Sequence, residues 1–516
     1  MNNIENNKRI AKNAMFLYFR MLITLGISLY TVRLVLETLG VVDFGIYNVV
    51  GGIVLMMEFL KSSMSESAQR FLSFELGKKN FTQLSKIFSM SINIYVLIAF
   101  FVFILAETIG LWFLNTKLII PIDRINAANW VYQFSILAFI VSLLNVPYNA
   151  MIIAEERMKI YFYISILETI LKLVIVFVLL GVGFDKLIIY SGLLFGLSVV
   201  IFIFYIFYCA QNFPSTKYTF ILDKKLFNTL LNYSGWTLFG GLAGVAKGQG
   251  VNILLNLFFG PAVNAARGLA FQIQGAVNLL VANFQVAINP QIVKSFASND
   301  SKYMHQIIYQ GSKFSFFLLY LVSLPILLET EIILKIWLGN VPDYTVIFTR
   351  LAIINVLIDS VSGTLMTGAH ASGKIKKYQA IVGGLLLLNL PISYVFLEMG
   401  FPPQVTIYIS ILISTLALFA RLKILTPLIG ISTNIFIKEV FYKIIPVVLV
   451  SSIISFIVLS NFDEGFIRLF IIIITSIFLS IVSIYKLAMN KQEKLIVINQ
   501  INKLKNKIFK LKENHS

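Results

Sequence analysis

About fourteen runs of roughly 20 apolar residues, separated by short polar gaps, fill almost the whole chain. They lie near residues 15–36, 44–61, 87–109, 128–151, 160–181, 187–209, 228–256, 264–287, 307–328, 345–368, 378–397, 403–421, 437–459 and 465–486. Each is long enough to cross a hydrocarbon core of about 30 Å as a helix. In hydrocarbon a helix satisfies every backbone donor and acceptor within its own segment. The predicted class is therefore an all-α polytopic membrane protein with about 14 transmembrane helices. Composition agrees, because only 13% of the 516 residues are charged and 58% are hydrophobic. Soluble domains carry roughly 25% charged residues.

The net charge of +18 raises the question of nucleic acid. Its distribution answers it. Of the 42 Lys and Arg, about 31 fall in the N-terminus, the even-numbered gaps and the C-terminus. About five fall in the other gaps (Lys117, Arg124, Lys186, Lys335, Arg468), and six lie within spans or at their ends. This is the positive-inside pattern, which predicts both termini in the cytoplasm and no nucleic-acid partner. The single cysteine, Cys209, excludes an intramolecular disulfide. Met1 to Lys12 is polar and lacks a small-residue cleavage site, so the first apolar run reads as a retained span. The richness in Ile, Asn, Lys and Phe fits an AT-rich bacterial gene.

A polar break near Gln211 to Lys225 separates six spans from the next six. It predicts an N-terminal six-helix lobe, 1–212, and a C-terminal one, 213–425. An additional helix pair follows at 426–487 and a tail at 488–516. The halves share a layout under a shift of 220 residues, with short outer turns at Leu39-Gly40 and Phe259-Gly260. Identity under that shift is near chance, so spacing carries the repeat. Duplicated halves around a cavity are a common transporter plan. In the tail, Leu495, Ile498, Ile501, Leu504, Ile508 and Leu511 recur at helical spacing among lysines. This reads as a basic amphipathic helix on an anionic leaflet, or as a solvated tail that reinforces topology.

Enzyme chemistry is missing from the sequence. Gly77-Lys78-Lys79 and Gly373-Lys374-Ile375 lack the Ser or Thr that a P-loop needs to hold magnesium. The three histidines, His305, His370 and His515, lie near cytoplasmic gaps or the tail and form no metal-ligand pattern. No hydrophilic stretch is long enough for a glycosyltransferase site. The expectation is a transporter without cofactor, driven by an H⁺ or Na⁺ gradient or by its own substrate's gradient.

A charge near the bilayer centre costs roughly 2.5–3.5 kcal/mol on insertion scales, so charges within spans mark protein interior or a wet cavity. Arg20 lies roughly 7 Å to the cytoplasmic side of the first span's centre at 1.5 Å per residue. It reads as a cavity cation or as the partner of a buried carboxylate. Lys172 lies near the midplane of the fifth span with Glu168 four residues before it, a self-neutralising pair or one that opens for a proton or phosphate. Lys247 sits among Gly240, Gly244 and Gly248, whose spacing suits close helix packing or a bendable helix. Arg267 lies early in the eighth span. Arg33 and Arg350 lie at span ends and read as interface anchors. Asp359, near the middle of the tenth span, is a pairing partner or an ion-coupling site, as is Glu168. Most of these groups are cations, so the expected cargo is anionic, and the substrate-binding set is Arg20, Lys172, Lys247 and Arg267.

Two stretches go beyond hydropathy: Leu39-Gly40-Val41-Val42-Asp43-Phe44-Gly45-Ile46-Tyr47, and Ala68-Gln69-Arg70-Phe71-Leu72-Ser73-Phe74-Glu75-Leu76-Gly77-Lys78. Both resemble the N-terminal pattern of the polysaccharide-transporter branch of the multidrug/oligosaccharidyl-lipid/polysaccharide (MOP) exporter superfamily. The resemblance implies two six-helix lobes, related by a pseudo-two-fold axis, around a central V-shaped cavity. It also implies an oligosaccharide on undecaprenyl pyrophosphate, such as an O-antigen or capsule repeat unit, flipped across the bacterial inner membrane. A polysaccharide polymerase and a chain-length regulator are the implied partners. Arg and Lys in a wet cavity would replace water around the phosphates.

Other readings predict different features. A cation-coupled multidrug antiporter of the same superfamily calls for an acidic cavity. A peptidoglycan lipid precursor flippase would share the cationic one. A membrane polysaccharide polymerase needs a large outer loop, which the short gaps here do not supply. A non-transporting scaffold is a further reading that the sequence leaves open.

Overall fold

The computed structural model describes residues 3–55, 57–117, 120–181, 183–259, 261–491 and 493–495. Among these the chain is all-helical. Helix α1 (Asn3–Leu55) is two helices joined at Gly40, whose φ of 79° and ψ of 168° break the backbone ladder. A side chain at that φ would be strained, which accounts for glycine in the first motif. The expected outer turn is therefore a one-residue break. Helix α2 (Glu58–Lys78) follows. The remaining long helices are α3 (Phe81–Thr116), α4 (Ile122–Ala154), α5 (Met158–Leu180), α6 (Lys186–Asn212) and α7 (Lys224–Phe259). Then come α8 (Pro261–Ala297), α9 (Ser301–Leu328) and α10 (Thr345–Ser372). Last are α11 (Lys376–Glu398), α12 (Val405–Ile429), α13 (Thr433–Ser460) and α14 (Phe466–Ala488).

Among the described residues twelve helices, those from α3 to α14, are long and apolar enough to cross a membrane. They coincide with the third to fourteenth apolar runs. The first two runs fall in α1 and the start of α2, outside those twelve. The supported count is twelve where the sequence suggests about fourteen. Gly260, the repeat counterpart of Gly40, lies outside the described residues, as do the side chain of Arg33 and most of the basic tail.

Local signals in the gaps set the helix starts. Asn80, Asp185, Asp223, Asp300 and Ser432 each accept backbone N–H bonds from the first turn that follows. Large apolar side chains such as Phe100, Phe207, Phe470 and Ile474 point outward from the bundle, as in a protein solvated by lipid tails. Inside, small polar residues let backbones approach. Ser451 and Ser455 on α13, and Ser476 and Ser480 on α14, are fully buried where those two helices pack. Tyr320 on α9 bonds the Ser451 hydroxyl at 2.8 Å and so docks this last helix pair on the second half.

Helices α1–α6 pack mainly with one another, and so do α7–α12. The halves meet chiefly where α1 and α2 contact α7, α8 and α10, with smaller contacts of α3 with α7 and of α4 with α8. We call the face where α1 begins and α14 ends the terminal face.

Candidate functional site

The junction between the halves is built at the terminal ends of α2, α8 and α10. Arg70 on α2 is buried and donates from Nε to the His370 carbonyl at 3.0 Å and from Nη2 to the Ala371 carbonyl at 2.9 Å. These carbonyls lie at the end of α10, where a cation is favoured, and that of His370 also accepts the Gly373 amide. Gly373, just beyond, has φ +74°, and a Cβ there would meet Arg70 Nη2 at 2.6 Å. Glu66, one turn before Arg70, lies 2.7 Å from Nδ1 of His370. Ser67 and Ser234 bond across the same seam at 2.9 Å. At the end of α2, a Cβ on Gly77 would meet the Lys294 carbonyl of α8 at 2.6 Å. The second motif, Ala68 to Lys78, is thus the surface on which the first half closes against the second.

A second clasp lies beside it. The Glu156 carboxylate, in the turn between α4 and α5, is wholly shielded from solvent. It receives Arg9 Nε at 2.8 Å, Lys294 Nζ at 2.6 Å and Gln291 Nε2 at 2.6 Å. Its backbone carbonyl takes a bond from Asn13. At the opposite face the first motif makes a clamp within the first half. Arg124 joins Asp43 (Nε–Oδ1 2.8 Å) and Asp185 (Nη1–Oδ2 2.6 Å). Burial acts to raise the Asp185 carboxyl, but hydrogen bonds from Arg124 and from the Ile188 and Leu187 amides outweigh it and hold it below its ordinary value.

A cavity of about 780 Å³ opens in the first half. Lys61, Glu66, Gln69, Asn145, Asn149, Tyr161, Glu168, Lys172 and Tyr205 line it. Lys172 and Glu168 are paired at 2.7 Å and both face this space. Arg20 stands at its edge. Its guanidinium lies 4.7 Å from the centre of the Tyr161 ring and donates to Oδ1 of Asn283 on α8 at 3.0 Å. Nε of Arg20 is buried with no hydrogen-bond partner among the described residues. Among the described residues its side-chain contacts are with a neutral amide and a ring, not with a carboxylate.

The other charges form a separate cluster in the second half. Lys247 donates to Ser414 Oγ at 3.0 Å and lies 3.9 Å from Asp359. Asn355 bridges Ser414 and Asp359. Lys247 sits in a widened π-turn, Ala246–Gly250. The close-packing reading of the glycine stripe holds only at Gly240, where a Cβ would strike Gln379, while Gly244 and Gly248 face open space. Arg267 is buried and braces that π-turn. It bonds the Asn252 side chain and the Gly248 carbonyl, and its guanidinium lies 4.0 Å from the centre of the Phe271 ring. Arg350 bonds Thr330 and lies 3.8 Å from Glu331 near the opposite face.

The expected set therefore divides. Arg20, Glu168 and Lys172 share the first-half cavity and its rim, Lys247 and Asp359 pair elsewhere, and Arg267 serves the helix beside them. Sequence reasoning passed over Glu66, Arg70, Glu156, His370 and Arg421. Arg421 is buried and donates to Tyr378 and Ser362. Arg70 stood in a motif already singled out, while Arg421 was counted with the topology charges. Among the described residues no group of His, Cys, Asp and Glu could hold a metal ion.

No protein-family model matches the chain, and no curated protein matches it. Solved structures do. An outward-facing multidrug resistance MATE family transporter of the MOP superfamily aligns with a TM-score of 0.72 at 11% identity, over 82% of this chain and 96% of that one. The fold is MATE-like. The MATE transporter ClbM in complex with Rb⁺ aligns at 0.67 and 14% identity, over 84% and 96%. A MOP superfamily transporter from Pyrococcus furiosus, described by the reverse polarity of its binding pocket, aligns at 0.68 and 10% identity, over 82% and 96%. The likeness is one of fold, and with twelve helices of membrane-crossing length among the described residues the chain is a multi-pass membrane protein.

Proposed function

We propose that this protein is an alternating-access flippase for an undecaprenyl-pyrophosphate-linked oligosaccharide in the bacterial inner membrane. The supporting observation is Arg20. It is a cation at the junction of the halves that packs on Tyr161 of the first-half cavity, and its contacts among the described residues are neutral. The carboxylates nearby are already engaged, Glu168 by Lys172 and Glu66 by His370. An anionic head group supplies the missing charge, and its phosphate oxygens accept the fork of donors that a guanidinium offers. Hydroxyl, amide and aromatic groups in the same cavity suit sugars.

In this reading the terminal face is cytoplasmic and closed, and the halves rock about it as two lobes. The Pyrococcus furiosus protein is described as having a different function suggested by its pocket polarity, so the fold alone does not set the cargo. A cation-coupled multidrug antiporter is the rival, since a multidrug transporter shares the fold. The test is flipping of lipid-linked oligosaccharide in proteoliposomes. Arg20→Ala is expected to slow it about tenfold, close to the worth of one hydrogen bond to a charged group, roughly 1.5–3 kcal/mol. Unaltered flipping by Arg20→Ala, together with uptake of an organic cation, would hand the case to the antiporter.

A further inference from the structure

A groove of about 460 Å³ lies between α11 and α12 at the terminal face. Its mouth carries Lys374, Lys377 and Lys423, and its wall includes Ile381, Ile424 and Leu428. The register explains the shape. Lys377 and Ile381 stand one turn apart on α11, and Ile424 and Leu428 one turn apart on α12, so each helix turns one face to the groove. The three lysines are exposed, and none of them has a carboxylate in ion-pair range among the described residues. The first turn of α11 has no side-chain cap and no acidic residue, so the positive end of its dipole adds to theirs. Cations stand where α11 begins and in the last two turns of α12, and Ile381, Ile424 and Leu428 form the apolar wall between them. Three cations without carboxylate partners around an apolar groove match in chemistry an anionic head group joined to an acyl chain.

The groove also has a consequence for closure. The loop that carries Lys374 joins it to the end of α10, whose His370 and Ala371 carbonyls receive Arg70 from the first half. Arg70 Nη2 occupies the space a Cβ on Gly373 would need. The same short loop therefore meets the first half on one side and presents Lys374 on the other.

We propose that this groove binds one anionic phospholipid of the leaflet at the terminal face, its phosphate among Lys374, Lys377 and Lys423 and one acyl chain along Ile381, Ile424 and Leu428. The bound lipid steadies the loop on which Arg70 closes. The site is independent of what the protein transports.

The test is native mass spectrometry of the full-length protein released from micelles containing phosphatidylglycerol or phosphatidylethanolamine. One phosphatidylglycerol is expected to stay bound. A basic residue near an anionic membrane surface is worth about 1 kcal/mol, so each Lys→Gln change is expected to weaken retention about fivefold. The triple variant Lys374→Gln/Lys377→Gln/Lys423→Gln is then expected to lose the adduct, while Lys86→Gln/Lys217→Gln/Lys302→Gln keeps it. Should the first triple variant misfold, the graded single variants carry the test. Equal retention by the two triple variants, or equal retention of phosphatidylethanolamine, overturns the proposal. Displacement by inorganic phosphate at a concentration equal to the lipid's overturns the lipid as occupant. As a second readout, spin labels at Lys78 and Ser298 in a Cys209→Ala background are expected to lie closer together in phosphatidylglycerol vesicles than in phosphatidylcholine vesicles. Identical distances remove the link to closure.

Discussion

Nδ1 of His370 on α10 lies 2.7 Å from Oε1 of Glu66 on α2, so a histidine of one half meets a carboxylate of the other. Arg70 grips the same helix end through two carbonyls. Together they make closure at the terminal face a matter of a few polar contacts, which can be made and broken as a set. Glu66→Gln keeps the shape but removes the charge. Because Glu66 is partly open to the cavity, its loss is expected to shift the closed population only about fivefold, near 1 kcal/mol. Distances between labels at Lys78 and Ser298 would report the change, and an unmoved distribution would show that the pair is not holding the halves.

Gly77 offers a steric counterpart. Alanine there puts a Cβ 2.6 Å from the Lys294 carbonyl and 2.8 Å from the Ala297 Cβ. Backbone cannot yield as a flexible side chain can, so Gly77→Ala is expected to hold α2 and α8 apart. The same labels should report a wider mean distance, with flipping reduced in proteoliposomes.

Much of this arrangement was open to sequence reasoning, and the reasons for the rest are physical. Twelve of the apolar runs became membrane-length helices because length and hydropathy suffice to place them. The Lys172–Glu168 pair was legible because four residues is one helical turn. Glu66 and His370 were not, being far apart in sequence and joined only by the meeting of the halves. Buried Arg70 and Arg421 look like topology signals until their partners are known. The glycine stripe misled because spacing alone cannot tell a packing seam from a helix that widens. The two motifs mark structural contacts, Asp43 with Arg124 and Arg70 with the end of α10.

Glu156 is the most deeply set carboxylate of the junction. Glu156→Ala leaves Arg9 and Lys294 without their shared counter-charge, and loss of one partner from a buried ion pair costs about 3–5 kcal/mol. Glu156→Ala is expected to lower the thermal unfolding temperature in detergent well beyond Glu66→Gln. Comparable melting of both variants would mean that the second clasp adds nothing to stability.

Lys247 and Asp359 should behave as a pair. Lys247→Met alone leaves the Asp359 charge without its nearest cation, and the double variant Lys247→Met/Asp359→Asn removes both charges. The double variant is expected to be more stable in detergent than Lys247→Met alone, by about 1 kcal/mol for a pair at the edge of contact distance. Additive losses would place Asp359 outside any coupling with Lys247.

The clamp at the opposite face has a defined pH response. Asp185 is held below its ordinary value, so the folded form binds its proton less readily than the unfolded chain does. Its contribution is complete above the unfolded carboxyl range, near pH 4, and is lost as pH falls through the folded value. Acid unfolding of Asp185→Asn is therefore expected to show a shallower loss of stability below about pH 4. A slope equal to that of the unaltered protein would detach the clamp from acid stability.

One bond deep in the second half reaches forward along the chain. Lys313, buried in α9, is matched by Glu493 through both carboxylate oxygens at 2.9 Å, and Glu493 closes a reciprocal cap with Asn490. During synthesis at roughly 5–20 residues per second, Lys313 waits on the order of ten seconds or longer for that carboxylate. Until then the chain lacks the one carboxylate that pairs with Lys313 among the described residues, so that charge is matched only when the last helix and the turn after it have been made.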